Sequence, residues 1–151
     1  MENRLLVAFD GSNCSLEALK EAVQLAQTFH CEITVINVQP SFHTIHTSLL
    51  FKEKQIKEFQ KELFYDVIRS AEQLLKKTQL EYEIILKIGD PIKQICQVAK
   101  EKNVKFIVMG SRGMGLVKGT VLGSVSYGVI HQSETPVLIF PQKCKMARLS
   151  S

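Results

Sequence analysis

Short β-branched and apolar runs alternate along this chain with longer segments that have helical periodicity. Repeated strand–helix–strand units favour a parallel sheet that is covered by helices on both faces and joined by right-handed crossovers. The sequence therefore predicts a single doubly wound α/β domain. The predicted strands are Arg4–Phe9, Glu32–Val38, Tyr82–Ile88, Val104–Met109 and Pro136–Phe140.

The intervening segments predict helices over about Cys14–His30, Phe51–Gln79, a stretch that opens at Pro91, and Ser124–Gln132. Ser12 or Asn13 is the expected N-cap of the first helix, and Asp90 is that of the third. Residues 39–50 have no clear period and are predicted to be a loop. The longest helix has an apolar stripe that indicates a core face, with a partner-helix surface as the alternative. Its members are Ile56, Phe59, Leu63, Val67, Ala71, Leu74 and Leu75.

Composition excludes several classes of protein. The 45% hydrophobic and 23% charged fractions over 151 residues are ordinary for one soluble globular domain. No apolar run approaches the ~20 residues of a membrane span, and the N-terminus lacks signal-peptide features, so we expect a cytoplasmic protein with no membrane partner. The net charge is only +4, and the basic residues are dispersed along the chain, often beside acidic ones, which argues against nucleic-acid binding. The cysteines form no CxxC pair, which agrees with a reducing compartment.

A glycine-rich loop follows the fourth predicted strand. Gly110-Ser111-Arg112-Gly113 comes at the end of that strand, and after nine further residues Gly123-Ser124 opens a helix. Glycines let backbone N–H groups approach a ligand closely, and a helix N-terminus adds free N–H groups and a positive dipole end. The spacing predicts a phosphate cradle; the alternative is a flexible connection without a ligand.

This loop differs from two better-known phosphate loops. A Walker A loop needs Gly-Lys-Ser/Thr at its end, whereas Lys118-Gly119-Thr120 has lysine and glycine in the opposite order. The dinucleotide fingerprint needs a third glycine where this chain has Lys118. That fingerprint follows the first strand of a βαβ unit, whereas the loop of this chain follows the fourth predicted strand. Neither the P-loop nor the dinucleotide fold is therefore indicated.

Together these segments resemble the universal stress protein family from Leu5 to Pro141. Gly110-x-x-Gly113, nine residues and then Gly123-Ser124 match the motif of the ATP-binding branch without a departure in spacing. The other matching parts are Val7-Ala8-Phe9-Asp10-Gly11-Ser12, Val35-Ile36-Asn37-Val38 and Gly89-Asp90-Pro91. The resemblance implies a five-stranded sheet in the order 3-2-1-4-5, with domain limits of 1–141 and a polar tail over 142–151.

The resemblance also implies which residues contact a nucleotide. Asp10 is expected near the ribose or a phosphate-bound Mg²⁺, with a plain helix-capping carboxylate as the alternative. Val38 is expected to offer backbone groups to the adenine edge. Arg112 is expected to reach a phosphate, with a solvated loop arginine as the alternative. The full implied set is Ala8, Phe9, Asp10, Val38, Met109, Gly110, Arg112, Gly113, Gly123, Ser124, Val125 and Ser126.

The function that the resemblance implies is an ATP-, ADP- or AMP-binding stress-response module, with Mg²⁺ beside the phosphates. The chain has no Walker lysine, catalytic-loop asparagine or paired base, so we expect slow hydrolysis or none. The alternatives are a nucleotide-free scaffold dimer of the same fold and a true hydrolase. A homodimer through the strand at 136–140 is expected, because an apolar edge strand invites pairing.

Overall fold

The computed structural model describes residues 3–42, 44–112 and 122–142. Its strands form one parallel sheet with the order β3-β2-β1-β4-β5, which confirms the predicted fold class and strand order. The strands are β1 Arg4–Ala8, β2 Glu32–Gln39, β3 Tyr82–Ile88, β4 Phe106–Gly110 and β5 Val137–Phe140. Apart from Gln142, the predicted tail lies outside the described residues.

The helices begin where their capping residues predict. The Ser12 hydroxyl accepts from the Ser15 N–H at 3.1 Å, and Asp90 Oδ1 accepts from the Lys93 N–H at 3.1 Å, just before Pro91. Within the described part of the chain, no helix is both long and apolar enough to cross a bilayer. The helices are α1 Asn13–Phe29, α2 Ile45–Leu50, α3 Glu53–Lys76, α4 Pro91–Glu101 and α5 Ser124–Gln132.

The prediction of a loop over residues 39–50 is wrong at its second half, where α2 lies. Two threonines cap the N-terminus of this helix. Thr44 Oγ1 accepts from the Thr47 N–H at 3.2 Å, and Thr47 Oγ1 accepts from the Thr44 N–H at 2.8 Å. This is a capping box made with hydroxyls on both sides. Six residues are too few to show a helical period, so the caps were the available signal.

The sheet separates two apolar clusters. One face packs against α1 and α3 through Val7, Leu19, Ala22, Val35, Ala71 and Leu75, among others. The other packs against α4 and α5 through Leu6, Ile36, Ile95, Ala99, Ile107 and Val129. Both faces of a parallel sheet are covered in this way, and the carboxyl ends of the strands are left to form a site.

Phe59, a member of the predicted α3 stripe, does not lie in the core. Phe59 is 52% exposed and meets the Phe42 ring edge-on, with 5.8 Å between the ring centroids. The adjacent Gln60 is buried instead. The backbone carbonyl of Gln60 accepts from the Gln39 side chain, and the side-chain amide of Gln60 donates to the Pro40 carbonyl. These hydrogen bonds hold Gln60 at the core position.

Candidate functional site

A crevice opens at the carboxyl ends of β1 and β4, which are neighbours in the sheet. After β1 the chain enters α1 on one face, and after β4 it continues to α5 on the other. Backbones that leave adjacent strands in opposite directions leave a gap between them, and ligands of open α/β sheets bind at such switch points. Asp10 follows β1 and Arg112 follows β4, so the fold brings these two residues to one crevice.

The crevice contains a cavity of about 570 Å³. Its lining includes all the described residues of the predicted set. Gly113 belongs to that set but lies outside the described residues, as does Lys118. The predicted residues that line the cavity are Ala8, Phe9, Asp10, Val38, Met109, Gly110, Arg112, Gly123, Ser124, Val125 and Ser126. Sequence reasoning missed Ser15, Ile36, Pro91, Ile95, Leu122 and Tyr127.

One end of the cavity is apolar. Ile36 and Val38 project from β2 onto the face of the sheet that packs against α4, and Ile95 projects from α4. Ala8 pairs with Ile36 in the sheet and continues this wall. Because side chains alternate along a strand, the prediction of Val38 as a contact could have identified Ile36 two residues earlier. This wall suits a flat, weakly polar ring.

The opposite end is the N-terminus of α5. Gly123 is the N-cap and has no side chain to occupy the first amides, and the first intrahelical bond is Tyr127 N–H to the Gly123 carbonyl at 3.0 Å. The N–H groups of Ser124, Val125 and Ser126 precede that bond and have no helical acceptor. Gly123 has a φ of −72°, so its backbone is accessible to any residue and it is not held in the left-handed region. This end suits an anion.

Ser126 has a different contact from the one that we expected. It is buried, and its hydroxyl lies 3.0 Å from the Ser111 carbonyl and 3.0 Å from the Gly123 carbonyl. The Gly123 N–H also donates to the Ser111 carbonyl, at 2.6 Å. The single hydroxyl proton of Ser126 is therefore engaged in joining the end of β4 to the start of α5. Of Ser124 and Ser126, Ser124 is the one that is exposed at the cavity wall.

The close packing of α1 against β4 leaves no room for a side chain at Gly110. A Cβ at this position would lie 2.6 Å from Cys14 Sγ and 3.0 Å from the Cys14 backbone carbonyl. The absence of a Cβ thus lets α1 approach β4 closely, rather than only giving a ligand access to the backbone. Cys14 itself is 4% exposed and is covered by this contact.

The carboxylate of Asp10 is positioned by the turn that follows it. Asp10 Oδ1 accepts from the Ser12 N–H at 2.9 Å, and Gly11 between them has a φ of +84° that favours glycine. The side chain is half-buried at the cavity wall. Among the described residues, no group of three or more acidic, histidine or cysteine side chains could hold a metal ion.

Comparison with known proteins gives a consistent result. The universal stress protein family model matches residues 1–141. The chain is 36% identical to universal stress protein YxiE of Bacillus subtilis over 146 residues, covering 92% of this chain and 99% of that protein. The structure of MJ0577 from Methanocaldococcus jannaschii is similar with a TM-score of 0.77 at 25% identity, covering 96% and 99% of the two chains. A universal stress protein family structure from Arabidopsis thaliana with AMP bound has a TM-score of 0.69 at 19% identity, covering 95% and 94%.

Proposed function

The chain belongs to the universal stress protein family, and we propose that it binds an adenine nucleotide (ATP, ADP or AMP) in the crevice between β1 and β4. The observation that carries this proposal is the two-ended cavity, which has an apolar wall at one end and uncapped helix amides at the other. A nucleotide has the same two-part character. A protein of similar fold with AMP bound supports the adenine nucleotide as the class of ligand.

We infer the orientation of the nucleotide in the cavity from the chemistry of the residues that line it. The adenine would lie between Val38 and Ile95, because burial of a ring is most favourable on the apolar wall. The phosphates would lie at the start of α5, where the Ser124 hydroxyl and the first-turn amides can donate. Arg112 lines the same cavity, and we expect it to supply a charge-assisted hydrogen bond.

Mg²⁺ would accompany a triphosphate. Mg²⁺ is commonly held by one or two carboxylates together with phosphate oxygens and water, and Asp10 is the carboxylate in the lining. The residues of the crevice therefore fit a nucleotide-bound metal. Its chemistry would be neutralisation of phosphate charge.

We propose that the protein acts as a nucleotide-responsive module in the cytoplasm. Rapid hydrolysis requires groups that position water and stabilise the transferring charge, and the sequence offers no Walker lysine, catalytic-loop asparagine or paired base. Slow turnover or none is expected, so the bound nucleotide would act through conformation and partners.

The same proposal includes a homodimer through β5. This strand is at the end of the sheet, next to β4 on one side, with no described strand on the other. Its residues are half-buried and consist of Val137, Leu138, Ile139 and Phe140. Pairing of two such edges about a two-fold axis would satisfy both.

Calorimetric titration of nucleotide-stripped protein with ATP tests the binding proposal. Gly123→Val places a branched side chain at the phosphate end, and we expect ATP affinity to fall at least ~10-fold, or about 1.4 kcal/mol. Gly123→Ala is the matched control, because the backbone of Gly123 accepts any residue and a single methyl leaves most of the space. It should retain affinity within ~3-fold, about 0.7 kcal/mol.

Circular dichroism of each variant controls for folding. If folded wild-type protein has no affinity for ATP or AMP below the millimolar range, the nucleotide proposal is wrong. The nucleotide-free scaffold dimer would then be the better account of the chain.

A further inference from the structure

Three amide side chains are buried on the face of the sheet opposite the cavity. Asn37, Gln39 and Gln60 are between 3% and 6% exposed. Ile36 and Val38 line the cavity, so the alternation of β2 directs Asn37 and Gln39 toward the face covered by α1 and α3. Such positions are usually aliphatic in a parallel sheet that is covered on both faces.

The Gln39 and Asn37 side chains form a chain of hydrogen bonds from the backbone of α3 to the end of β1. The Gln39 amide nitrogen donates to the Gln60 carbonyl at 3.2 Å and lies 3.4 Å from Asn37 Oδ1. The Asn37 amide nitrogen donates in turn to the Phe9 carbonyl at 2.9 Å. The chain therefore ends on the residue that directly precedes Asp10.

The contact with Phe9 has a geometric consequence. The β1–β2 register ends at Ala8 and Ile36, and the Phe9 N–H still donates to the Ile36 carbonyl at 2.9 Å. Asn37 then holds the Phe9 carbonyl with a side chain, at the point where the backbone turns away from the sheet. Because both polar groups of Phe9 are fixed, the starting point of Asp10 is fixed as well.

Stability alone does not account for this chain of amides. Gln39 Oε1 is buried and has no hydrogen-bond partner among the described residues. A buried acceptor without a partner costs about 1–3 kcal/mol, so Gln39 carries a cost for folding at a position where a covered parallel sheet usually has an aliphatic residue. A polar group that is costly for folding calls for another explanation.

We propose that Asn37 and Gln39 are positioning residues for the nucleotide site. Asn37 sets the position of the Phe9–Asp10 segment from the reverse face of the sheet, and Gln39 ties Asn37 to α3 through the Gln60 carbonyl. This inference rests on the proposed nucleotide binding. It adds residues that do not line the cavity, so a survey of the cavity wall would not include them.

Asn37→Leu tests the proposal, with Thr34→Val as its matched control. Thr34 is a fully buried polar residue on the same strand, its hydroxyl donates to Glu83 at 2.9 Å, and it does not line the cavity. Both variants remove a buried hydrogen bond from β2 with little change in shape. We expect Asn37→Leu to weaken Mg-ATP binding about 10-fold, and Thr34→Val to change it less than ~2-fold.

A double-mutant cycle with Asp10→Asn separates positioning from general destabilisation. If Asn37 acts through Asp10, the effect of Asn37→Leu should fall below ~2-fold once the Asp10 charge is absent. Gln39→Leu is a second, more remote variant, expected to weaken Mg-ATP binding about 3-fold. If Asn37→Leu does not fold, Gln39→Leu and its cycle with Asp10→Asn decide the matter.

Each result has one meaning. Wild-type protein that binds no nucleotide overturns the proposed function, and the positioning proposal with it. Wild-type protein that binds ATP, together with Asn37→Leu protein that binds as well as Thr34→Val protein, overturns the positioning proposal alone. An undiminished effect of Asn37→Leu in the Asp10→Asn background would also overturn it.

Discussion

Asp10 has two separable tasks at the scale of the single residue. Its Oδ1 accepts the Ser12 N–H at 2.9 Å and so closes the turn after β1, which a neutral acceptor can also do. Its negative charge is what a nucleotide-bound cation would require. Alanine would remove both tasks together. Asparagine retains an oxygen acceptor for the turn and removes only the charge, so it isolates the second task.

Asp10→Asn should therefore lower ATP affinity in a metal-dependent way. With Mg²⁺ present we expect a loss of about 10-fold, because the cation loses a ligand. With EDTA the affinity should be unchanged or higher, because a carboxylate near the phosphates is then only repulsive. Calorimetric titration under both conditions measures the difference, and Asp10→Ala shows the added cost of the turn. An equal loss with and without Mg²⁺ would contradict a metal-linked role.

The residue scale also shows what the motif could not convey. The family resemblance implied which residues contact a ligand, and the described ones line the crevice. It did not indicate that Gly110 is required by the approach of Cys14, or that Ser126 is engaged with the Ser111 carbonyl. Both contacts join residues that are distant in the chain, and such distances depend on the packed fold rather than on local pattern.

At the scale of elements, an ionic cluster joins the amino-end region of the sheet to the end of α4. Glu83 on β3 accepts from Lys102 at 2.6 Å, from Arg4 of β1 at 2.7 Å and from Thr34 of β2 at 2.9 Å. The hydrogen bond from Lys102 is the largest of the effects that lower the pKa of the Glu83 carboxyl, and partial burial opposes it. Three strands and one helix thus share one carboxylate.

This cluster predicts a pH-dependent contribution to stability. A carboxyl whose pKa is lower in the folded protein contributes stability above its unfolded pKa of about 4.3, and that contribution is lost as the pH falls through the folded pKa. Glu83→Gln should therefore be less stable than wild type at pH 7, and the gap should narrow below about pH 4. Urea unfolding at several pH values measures it.

Glu81→Gln is the control for this experiment, because Glu81 is an exposed carboxylate two residues away. Its free energy of unfolding should stay close to wild type at each pH. The Glu83 side chain is 40% exposed, so added salt should also reduce the gap. A gap that is constant from neutral to acidic pH would show that the charge of Glu83 contributes nothing.

The strands and helices differ in how accurately the sequence predicts their extents and buried faces. The extents of β3 and α5 are confirmed, since alternation marks β3 and the Gly123-Ser124 pair marks the start of α5. The α3 stripe was displaced at one position because Gln60, a polar residue, holds a core site through hydrogen bonds with Gln39 and Pro40. A pattern based on apolar residues does not predict that an amide side chain is buried. The burial of Asn37 could not be predicted for the same reason.

At the scale of the whole molecule, element order determined the location of the site. Alternating strands and helices in the order β3-β2-β1-β4-β5 place the ends of β1 and β4 side by side. Since the family resemblance implied this strand order, the crevice could be predicted without any knowledge of side-chain packing. The sequence could not predict the contributions of Pro91 and Ile95, because these depend on how α4 lies against β2.

The edge of β5 that has no neighbouring strand among the described residues gives the prediction for assembly. The Ile107 N–H donates to the Pro136 carbonyl and the Ser111 N–H to the Phe140 carbonyl, so even-numbered residues of this segment direct their polar groups toward β4. Backbone groups alternate in direction along a strand, and Val137 and Ile139 therefore direct theirs to the edge. Leu138 packs into the cluster beneath α1, so a charge there would disturb the subunit itself.

Ile139→Pro should convert the proposed dimer into a monomer. Proline removes the N–H that an antiparallel partner strand would use, and it leaves the bonds from the even-numbered residues to β4 in place. Ile139→Ala is the matched control, because it shortens the same side chain, which packs against the α4 and α5 cluster, and keeps the N–H. Light scattering coupled to size exclusion at micromolar concentration should give a dimer for wild type and for Ile139→Ala, and a monomer for Ile139→Pro. A monomeric wild type would contradict the dimer, and a dimeric Ile139→Pro would show that subunits meet elsewhere than along β5.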